Sequence, residues 1–179
     1  MEYIDIIDSK TGNNTGVIKS KLEVHKNGYW HRTIHVWFVN SKNEIMLQHR
    51  SKEMENHPDC WDISVAGHIS SGEDATIAAL REIKEEIGIN LPTNELKMID
   101  KTIHQVVLNN KTYFDNEHSN IYLVRADFDI DKLQMQKSEI QNLRWIAIPE
   151  FKKWVIEKRS NLVPHPEEYS LLFKALENL

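Results

Sequence analysis

Three glutamates, Glu82, Glu85 and Glu86, have a spacing that could bind a metal ion. On an α-helix, with about 100° per residue, their carboxylates fall within an arc of about 100°. The opposite side of the same helix is apolar and consists of Ile77, Leu80, Ile83 and Ile87. Carboxylates this close repel one another, and Mg²⁺, which prefers carboxylate oxygens and often also binds substrate phosphates, would reverse that repulsion. The trio alone leaves two interpretations open, a divalent-cation site and a solvated acidic helix face.

The segment around these glutamates, residues 67–89, has the sequence GHISSGEDATIAALREIKEEIGI. It matches the Nudix box at every fixed position, including the aliphatic ones. The chain therefore resembles Nudix hydrolases, and the order of the expected strands around the box is similar to that family as well. The resemblance implies hydrolysis of a diphosphate linked to another moiety, with Mg²⁺ or Mn²⁺ as cofactor and a small-molecule diphosphate as partner.

The resemblance also implies roles for individual residues of the site. Glu82, Glu85 and Glu86 match the metal-binding glutamates, and Gly67 often offers its backbone carbonyl to the metal. In such sites metal ions neutralise diphosphate oxygens and lower the pKa of the attacking water. A carboxylate then takes the proton of that water. Glu85, Glu86 and an acid outside the box, Glu117, are the candidates for this general base, and the sequence does not choose among them.

Other residues would shape the site or hold the substrate. Glu73 and Arg81 match a pair that usually forms a salt bridge fixing the loop against the helix, and Gly88 lets the chain turn after the helix. Arg50 and Lys52 follow an expected strand and are candidates for binding a terminal phosphate, because arginine can bind phosphate oxygens with two hydrogen bonds.

The flanking segments, residues 23–50 and 57–68, look like isopentenyl diphosphate isomerases and the Nudix hydrolases closest to them. In those isomerases a catalytic cysteine immediately precedes the Gly-His pair, whereas Ala66 occupies that position here and Cys60 lies six residues too early. Since a methyl group cannot carry a proton, hydrolysis is favoured and an isomerase-like activity is the alternative. A non-catalytic diphosphate-binding module is a third alternative, which the complete set of box glutamates disfavours.

The same isomerases bind metal through histidines and glutamates, and His25, His31, His68, Asp115 and Glu117 lie near the matching positions. These residues could form a second site for Mn²⁺, Mg²⁺ or Zn²⁺. We interpret His25 and His31 instead as surface or packing residues, because the spacing between them is one residue shorter than the isomerase pattern. Glu117 is expected at the junction of a polar loop and a strand, where catalytic residues often project. His68 is also a candidate for binding substrate.

Strands and helices must position these residues. Runs of β-branched and aromatic residues predict strands at 3–7, 33–39, 45–49, 61–66, 96–107, 119–128 and 142–147, with a turn at 8–16 and a polar loop at 109–118. Helical spacing predicts helices at 74–87, at 150–158 and from Pro166 onward. This unequal mixture predicts one α/β (α+β) domain over residues 1–179. The family resemblance specifies an α/β/α sandwich with a mixed central sheet.

Composition limits the partners. The 179 residues suit one domain, and the net charge of −5 argues against a general nucleic-acid binder. Residues 67–89 carry −3 of that charge. No apolar stretch reaches the length of a membrane span, the acidic N-terminus lacks the features of a signal peptide, and the single cysteine excludes an internal disulfide. We therefore expect a cytoplasmic protein with no membrane partner. Family members are often dimers, so the resemblance allows a homodimer.

Overall fold

The computed structural model describes residues 2–177, which form nine strands and four α-helices. The strands are β1 (Tyr3–Ile7), β2 (Asn14–Ser20), β3 (His31–Val39), β4 (Glu44–Arg50), β5 (Trp61–Asp62), β6 (Val65–His68), β7 (Lys97–Leu108), β8 (Tyr113–Arg125) and β9 (Ile140–Ala147). The helices are α1 (Lys21–Asn27), α2 (Ala75–Ile87), α3 (Ile148–Ile156) and α4 (Pro166–Leu176).

Seven of these strands form one mixed sheet. Strands β5, β4, β3, β8 and β7 lie side by side in that order, while β6 pairs with β3 and β9 pairs with β4. Strands β3 and β8 are parallel, with His31 opposite Glu117 at one end and Val39 opposite Arg125 at the other. The other neighbours in the sheet are antiparallel. Strands β1 and β2 form a separate antiparallel ribbon.

Helices cover both faces of the large sheet. On one face, α2 buries Ile83 and Ile87 in a core shared with Val36 of β3. On the other face, Phe151 of α3 and Leu172 of α4 belong to a second core. Each fully buried side chain of this size stabilises the fold by about 1.5–3 kcal/mol. The expected α/β/α sandwich with a mixed central sheet is confirmed.

The sheet divides on one side of β3, and this division creates the main cavity. Among residues 2–177, β3 and β4 pair only at Val39 and Ile45, beside the turn that connects them. Farther from that turn, β6 pairs with β3 from Val36 to Thr33, while β4 pairs with β5 and β9. The two halves of the sheet therefore separate, and a cavity of about 820 Å³ opens between them.

The N-terminal region contains a strand and a helix that the sequence analysis did not predict. The predicted turn at 8–16 includes the start of β2, whose side chains are mostly exposed and show no buried alternation. Helix α1 has only seven residues, too few for a clear periodicity. Its signal is a capping box, in which Ser20 Oγ accepts from the Glu23 N–H and the Glu23 carboxylate accepts from the Ser20 N–H.

Two other predictions are wrong in detail. The single strand expected at 61–66 is two short strands, β5 and β6. Strand β8 begins at Tyr113, so the polar loop expected at 109–118 is only four residues long and Glu117 lies inside a strand instead of at its junction. Polar residues are depleted in strands, and this strand is polar where it lines the cavity.

The remaining predicted elements are observed with shifted ends, including the hairpin of β3 and β4 and the helix from Pro166. No helix within residues 2–177 is both long enough and apolar enough to cross a membrane. The cytoplasmic location and the homodimer stay predictions.

Candidate active site

Helix α2 carries the three glutamates, and its two ends are fixed by local sequence. Asp74 caps the first turn, because its Oδ1 accepts from the N–H of Thr76 at 2.8 Å. Gly88 ends the helix with a φ of 76°, a left-handed conformation that favours glycine. The predicted apolar stripe is wrong at one residue, Ile77, which is 54% exposed. Two alanines, Ala78 and Ala79, are buried there instead.

Arg81 holds the loop, the helix and two of the glutamates together. Its Nε and Nη2 donate to the two carboxylate oxygens of Glu73, each at 2.9 Å, so the expected salt bridge is present. Nη2 also donates to the carbonyl of His68 at 3.0 Å. Nη1 donates to Glu82 Oε1 at 2.7 Å and to Glu85 Oε2 at 3.1 Å. Arg81 therefore both anchors the loop and orients the carboxylates of Glu82 and Glu85.

Gly67 allows the glutamates to approach strand β6. A Cβ atom at this position would lie 2.2 Å from the carboxyl carbon of Glu82, a contact that no side chain can make without displacement. The backbone of Gly67 therefore lies next to the Glu82 carboxylate. Two groups that bind the same metal ion must be this close. Both residues line the cavity.

In the acidic cluster, which we define as Glu82, Glu85 and Glu86, only Glu85 fits the solvated surface that one interpretation allowed, since its side chain is 53% exposed and that of Glu82 is 13% exposed. Glu86 is 2% exposed, and its Oε2 is buried with no hydrogen-bond partner. Burial, followed by the charge of Glu82, raises the pKa of Glu86 well above its usual range. Burial also raises the pKa of Glu82 to about 7, against the opposing effect of Arg81. A buried carboxylate without a partner is unfavourable, so this oxygen set fits a divalent cation.

A second group of possible ligands comes together from separate elements. His25 lies on α1, His31 on β3 and His68 on β6, while Asp115 and Glu117 lie on β8. We call these five residues the imidazole cluster. One ring nitrogen from each of the three histidines falls within 4.8 Å of the other two, and His31, Asp115 and Glu117 satisfy the same distance.

The contacts within the imidazole cluster are close. His25 Nε2 and His68 Nε2 are 3.0 Å apart, and His31 Nε2 lies 3.4 Å from Glu117 Oε1. His25 Nδ1 lies 3.4 Å from Asp115 Oδ1. The other ring nitrogen of His31 lies 3.1 Å from the carbonyl of Tyr29, which orients the ring.

Of the two possibilities given for His25 and His31, a surface position is wrong, whereas a packing position agrees with the structure, in which His25 stacks on Tyr113. His25 is 3% exposed and His31 is fully buried, with no hydrogen bond to its Nε2. Burial, and then the neighbouring His31, lowers the pKa of His25 to about 4, and burial also lowers that of His68 well below its usual value. Neutral imidazole is the form that binds metal, and His31 Nε2 has no hydrogen-bond partner among these rings, so this group of residues fits a metal ion as well.

The two carboxyl groups of the imidazole cluster differ in charge state. Burial alone would raise the pKa of Glu117, but the close approach of His31, whose Nε2 lies 3.4 Å from Glu117 Oε1, holds it well below the usual range. Burial, and then the charge of Glu117, raises the pKa of Asp115 to about 9. Thr33 Oγ1 lies 3.3 Å from Glu117 Oε2. Glu117 is therefore the ionised member of the two.

Both clusters meet at the main cavity. The three glutamates of the acidic cluster line it, and so do His68, Asp115 and Glu117. Arg50 lines it as well, with Nη1 donating to Asp62 at 3.1 Å and Nη2 donating to the carbonyl of Asn56 at 3.0 Å. Lys52 is exposed and does not contribute to the lining.

The structure also brings polar residues to the cavity that the sequence analysis missed. They are His35, Asp62, His104 and His165, with Glu168 behind His35. A signal was present for the first of them, because His35 is a polar residue within the apolar run TIHVWFV of β3. Residues 62, 104 and 165 lie far apart in the sequence, and only the fold brings them together.

Comparison with known proteins places this site in a family. A family model described as NUDIX domain matches residues 29–165. Nudix hydrolase 3 of Arabidopsis thaliana is 34% identical over 96% of this chain, which spans only 23% of that protein's length. An uncharacterized Nudix hydrolase of Clostridium acetobutylicum is 33% identical over 88% of this chain and 75% of its own length. Isopentenyl-diphosphate Delta-isomerase 2 of Photorhabdus laumondii is 25% identical over 99% of this chain and 92% of its own.

A solved structure agrees on the fold. The crystal structure of DR0079 from Deinococcus radiodurans superimposes with a TM-score of 0.65, covering 91% of this chain and 93% of its own at 18% sequence identity. The fold, the complete box on α2 and the family match together show that this chain belongs to the NUDIX domain family, whose hydrolases are pyrophosphohydrolases acting on phosphorus-containing anhydrides.

Proposed function

We propose that this protein is a metal-dependent hydrolase that cleaves a phosphoanhydride bond of a small diphosphate compound, such as a nucleoside diphosphate derivative. The observation that carries the proposal is the buried, unpartnered oxygen of Glu86 beside Glu82 at the cavity wall. A buried acidic group in this state is costly unless a cation joins it. The cavity volume of about 820 Å³ is within the range of small-molecule sites.

The acidic cluster and the carbonyl of Gly67 would hold Mg²⁺ or Mn²⁺. When bound, the metal would supply charge neutralisation of the diphosphate and a lower pKa for the attacking water. Arg81 keeps Glu82 and Glu85 in place through its hydrogen bonds. Arg50 and His68 line the cavity and would bind phosphate oxygens there, whereas Lys52 does not line it.

Three carboxylates at the cavity could take the proton of the attacking water. Glu85 is the most accessible of them, with its side chain 53% exposed. Glu86 is deeply buried and has a raised pKa, and Glu117 is buried and ionised. An ionised acceptor is the form a general base needs, which supports Glu117 over Glu86 for this role, while the accessibility of Glu85 keeps it a candidate. Glu86 then acts mainly as a ligand.

An isomerase-like reaction is the second candidate, and the imidazole cluster is the observation that favours it. Its five residues would hold a second metal ion, with Mn²⁺ and Zn²⁺ suiting their nitrogen and oxygen ligands. The methyl group of Ala66 lies in the cavity wall, where it offers no proton donor or acceptor. Hydrolysis therefore remains the main proposal.

An activity screen that separates the products by chromatography tests the two candidates together. The protein, first treated with EDTA, is incubated with a range of nucleoside diphosphate derivatives and with isopentenyl diphosphate, each with Mg²⁺, Mn²⁺ or no metal. We expect hydrolysis of at least one compound only when metal is present. Interconversion of isopentenyl and dimethylallyl diphosphate without hydrolysis would reverse the ranking, and metal-independent hydrolysis would contradict the proposal.

A further inference from the structure

A buried pair at the inner end of the cavity has no part in either metal cluster. His35 Nδ1 lies 2.7 Å from Glu168 Oε2, and the other oxygen of Glu168 accepts from Trp37 Nε1 at 2.7 Å. His35 and Glu168 are both buried, and Trp37 is completely so. Glu168 thus fixes the ring of His35 from behind through Nδ1. The ring nitrogen left for the cavity, which His35 lines, is Nε2.

The position of His35 is set by strand pairing. His35 lies opposite Ala66 of β6, and the next two residues of β6 are Gly67 and His68. Along β3, His35 is four residues from His31, a distance of about 13 Å at about 3.3 Å per residue. His35 is therefore within reach of an organic group attached to a diphosphate that is held at the metal clusters.

Other polar groups surround the same end of the cavity. Asp62 Oδ1 lies 2.9 Å from His165 Nε2, and Asp62 Oδ2 accepts from Arg50. The rings of His35 and His165 have centroids 5.6 Å apart, and those of His104 and His165 are 6.2 Å apart. Apolar side chains such as Val106 also line the cavity, as is usual for sites in which a few polar groups fix the orientation of a ligand.

We propose that His35, held by Glu168, determines substrate specificity by hydrogen-bonding through Nε2 to a hydroxyl-bearing group attached to the diphosphate, so that the enzyme discriminates against hydrocarbon groups. His35 would contact the substrate, and Glu168 would be a positioning residue that acts through it. The inference rests on the proposed diphosphate hydrolysis and names the class of organic group that this cavity accepts.

The physical reason is desolvation. A hydrocarbon chain placed against His35 would remove water from a polar nitrogen without replacing its hydrogen bond, which is unfavourable. A hydroxyl group can replace that water. Burial by itself would lower the pKa of His35, but the charge and hydrogen bond of Glu168 outweigh it and raise the pKa to about 9. The ring is then protonated on both nitrogens near neutral pH and suits an oxygen acceptor.

Two five-carbon probes test the inference, ribose 5-diphosphate and isopentenyl diphosphate, which differ in the hydroxyl groups of the organic part. For the wild-type protein with Mg²⁺ or Mn²⁺, we expect kcat/KM to be at least about tenfold higher for ribose 5-diphosphate, the effect of one lost hydrogen bond. In His35→Leu this preference should fall to less than about threefold, mainly through a higher KM for the ribose compound. Glu168→Gln should lower the preference in the same direction.

Two further variants keep the test decisive. Because His35→Leu leaves Glu168 unpaired and could fail to fold, the double variant His35→Leu with Glu168→Leu removes both polar groups. Trp37→Phe is the matched control, since it removes the other hydrogen bond to Glu168 and lies outside the cavity. It should lower the melting temperature while leaving the preference between probes unchanged.

The outcomes separate this inference from the proposed function. A wild-type preference for isopentenyl diphosphate, or an equal fall of kcat/KM for both probes in the double variant, would overturn the role of His35. If neither probe is hydrolysed, calorimetric binding of the two probes to wild-type and double-variant protein measures the same ratio directly. Equal binding, or no binding, would then overturn the inference irrespective of turnover.

Discussion

The acidic cluster and the imidazole cluster open onto one cavity but are built in different ways. The glutamates of the acidic cluster come from a single helix within the 23-residue box at 67–89. The imidazole cluster draws its five residues from α1, β3, β6 and β8. The first depends on the ends of one helix and on Gly67. The second depends on the packing of the whole sheet and of the N-terminal helix against it.

The two clusters also differ in how charge is managed before any cation binds. In the acidic cluster, Arg81 donates to Glu82 and Glu85, while Glu86 has a pKa well above its usual range. In the imidazole cluster, burial lowers the pKa of His25 and His68, and Glu117 is the ionised partner. An excess of carboxylates suits a hard cation such as Mg²⁺, whereas imidazole suits Zn²⁺. The clusters should therefore respond differently to the choice of metal.

The largest expected effect is loss of turnover when the acidic cluster is altered. Glu86→Gln keeps the shape of the side chain but removes its capacity to bind a cation as a carboxylate. We expect metal-dependent hydrolysis, measured by chromatography of the products, to fall at least about 100-fold. The control is Glu167→Gln, which alters an exposed glutamate outside the cavity. If Glu86→Gln were active while Glu117→Gln was not, the reaction would belong to the imidazole cluster.

The next effect separates the clusters by metal binding alone. Adding Zn²⁺ to EDTA-treated protein should stabilise it by about 2.7 kcal/mol at 100 times the dissociation constant. In a chain of this size, that corresponds to a rise of about 5–10 °C in melting temperature. His31→Gln should abolish most of this rise in a thermal scan, while Glu86→Gln should retain it.

His49 provides the matched control for this metal experiment. It lies outside the imidazole cluster, stacked on Trp61 with ring centroids 4.5 Å apart. His49→Gln should therefore keep the full rise in melting temperature. An equal rise in His31→Gln and His49→Gln would show that the imidazole cluster does not bind Zn²⁺.

The acidic cluster could be predicted from the sequence because its information is local. Fixed spacing within one helix places Glu82, Glu85 and Glu86 on one face, and the helix expected at 74–87 is observed as Ala75–Ile87. The sequence did not show that Glu86 would be buried. Its burial depends on the sheet packed against α2, which the helical period does not describe.

The imidazole cluster was only partly predictable because its positions depend on elements with weak local signals. His25 is placed by α1, a seven-residue helix whose clearest mark is the capping box of Ser20 and Glu23. Asp115 and Glu117 lie in a polar section of β8 that resembles a loop in sequence. Such side chains are unfavourable in an ordinary strand, and their proximity to the histidines follows only from the parallel pairing of β3 with β8.

His35, which lies outside both clusters, extends the comparison between them and gives the smallest expected effect. His25 has imidazole neighbours and a lowered pKa, whereas His35 has the carboxylate of Glu168 and a raised pKa of about 9. A raised pKa in the folded state means that the protonated ring stabilises the fold. That contribution is fully present below the unfolded value of about 6.5 and is lost as the pH rises through about 9.

The free energy of unfolding should therefore fall by about 1–3 kcal/mol between pH 6.5 and 9. Urea titrations of EDTA-treated protein at several pH values measure this slope, and His35→Leu with Glu168→Leu should flatten it. The same slope in that double variant would assign the pH dependence to other groups. Because Glu168 has a lowered pKa, its own contribution is lost only as the pH falls through acidic values. Both His35 and Glu168 are therefore charged across the neutral pH range, where their ion pair is most stabilising. In the same pH range His25 and His68 are neutral, the form that binds metal.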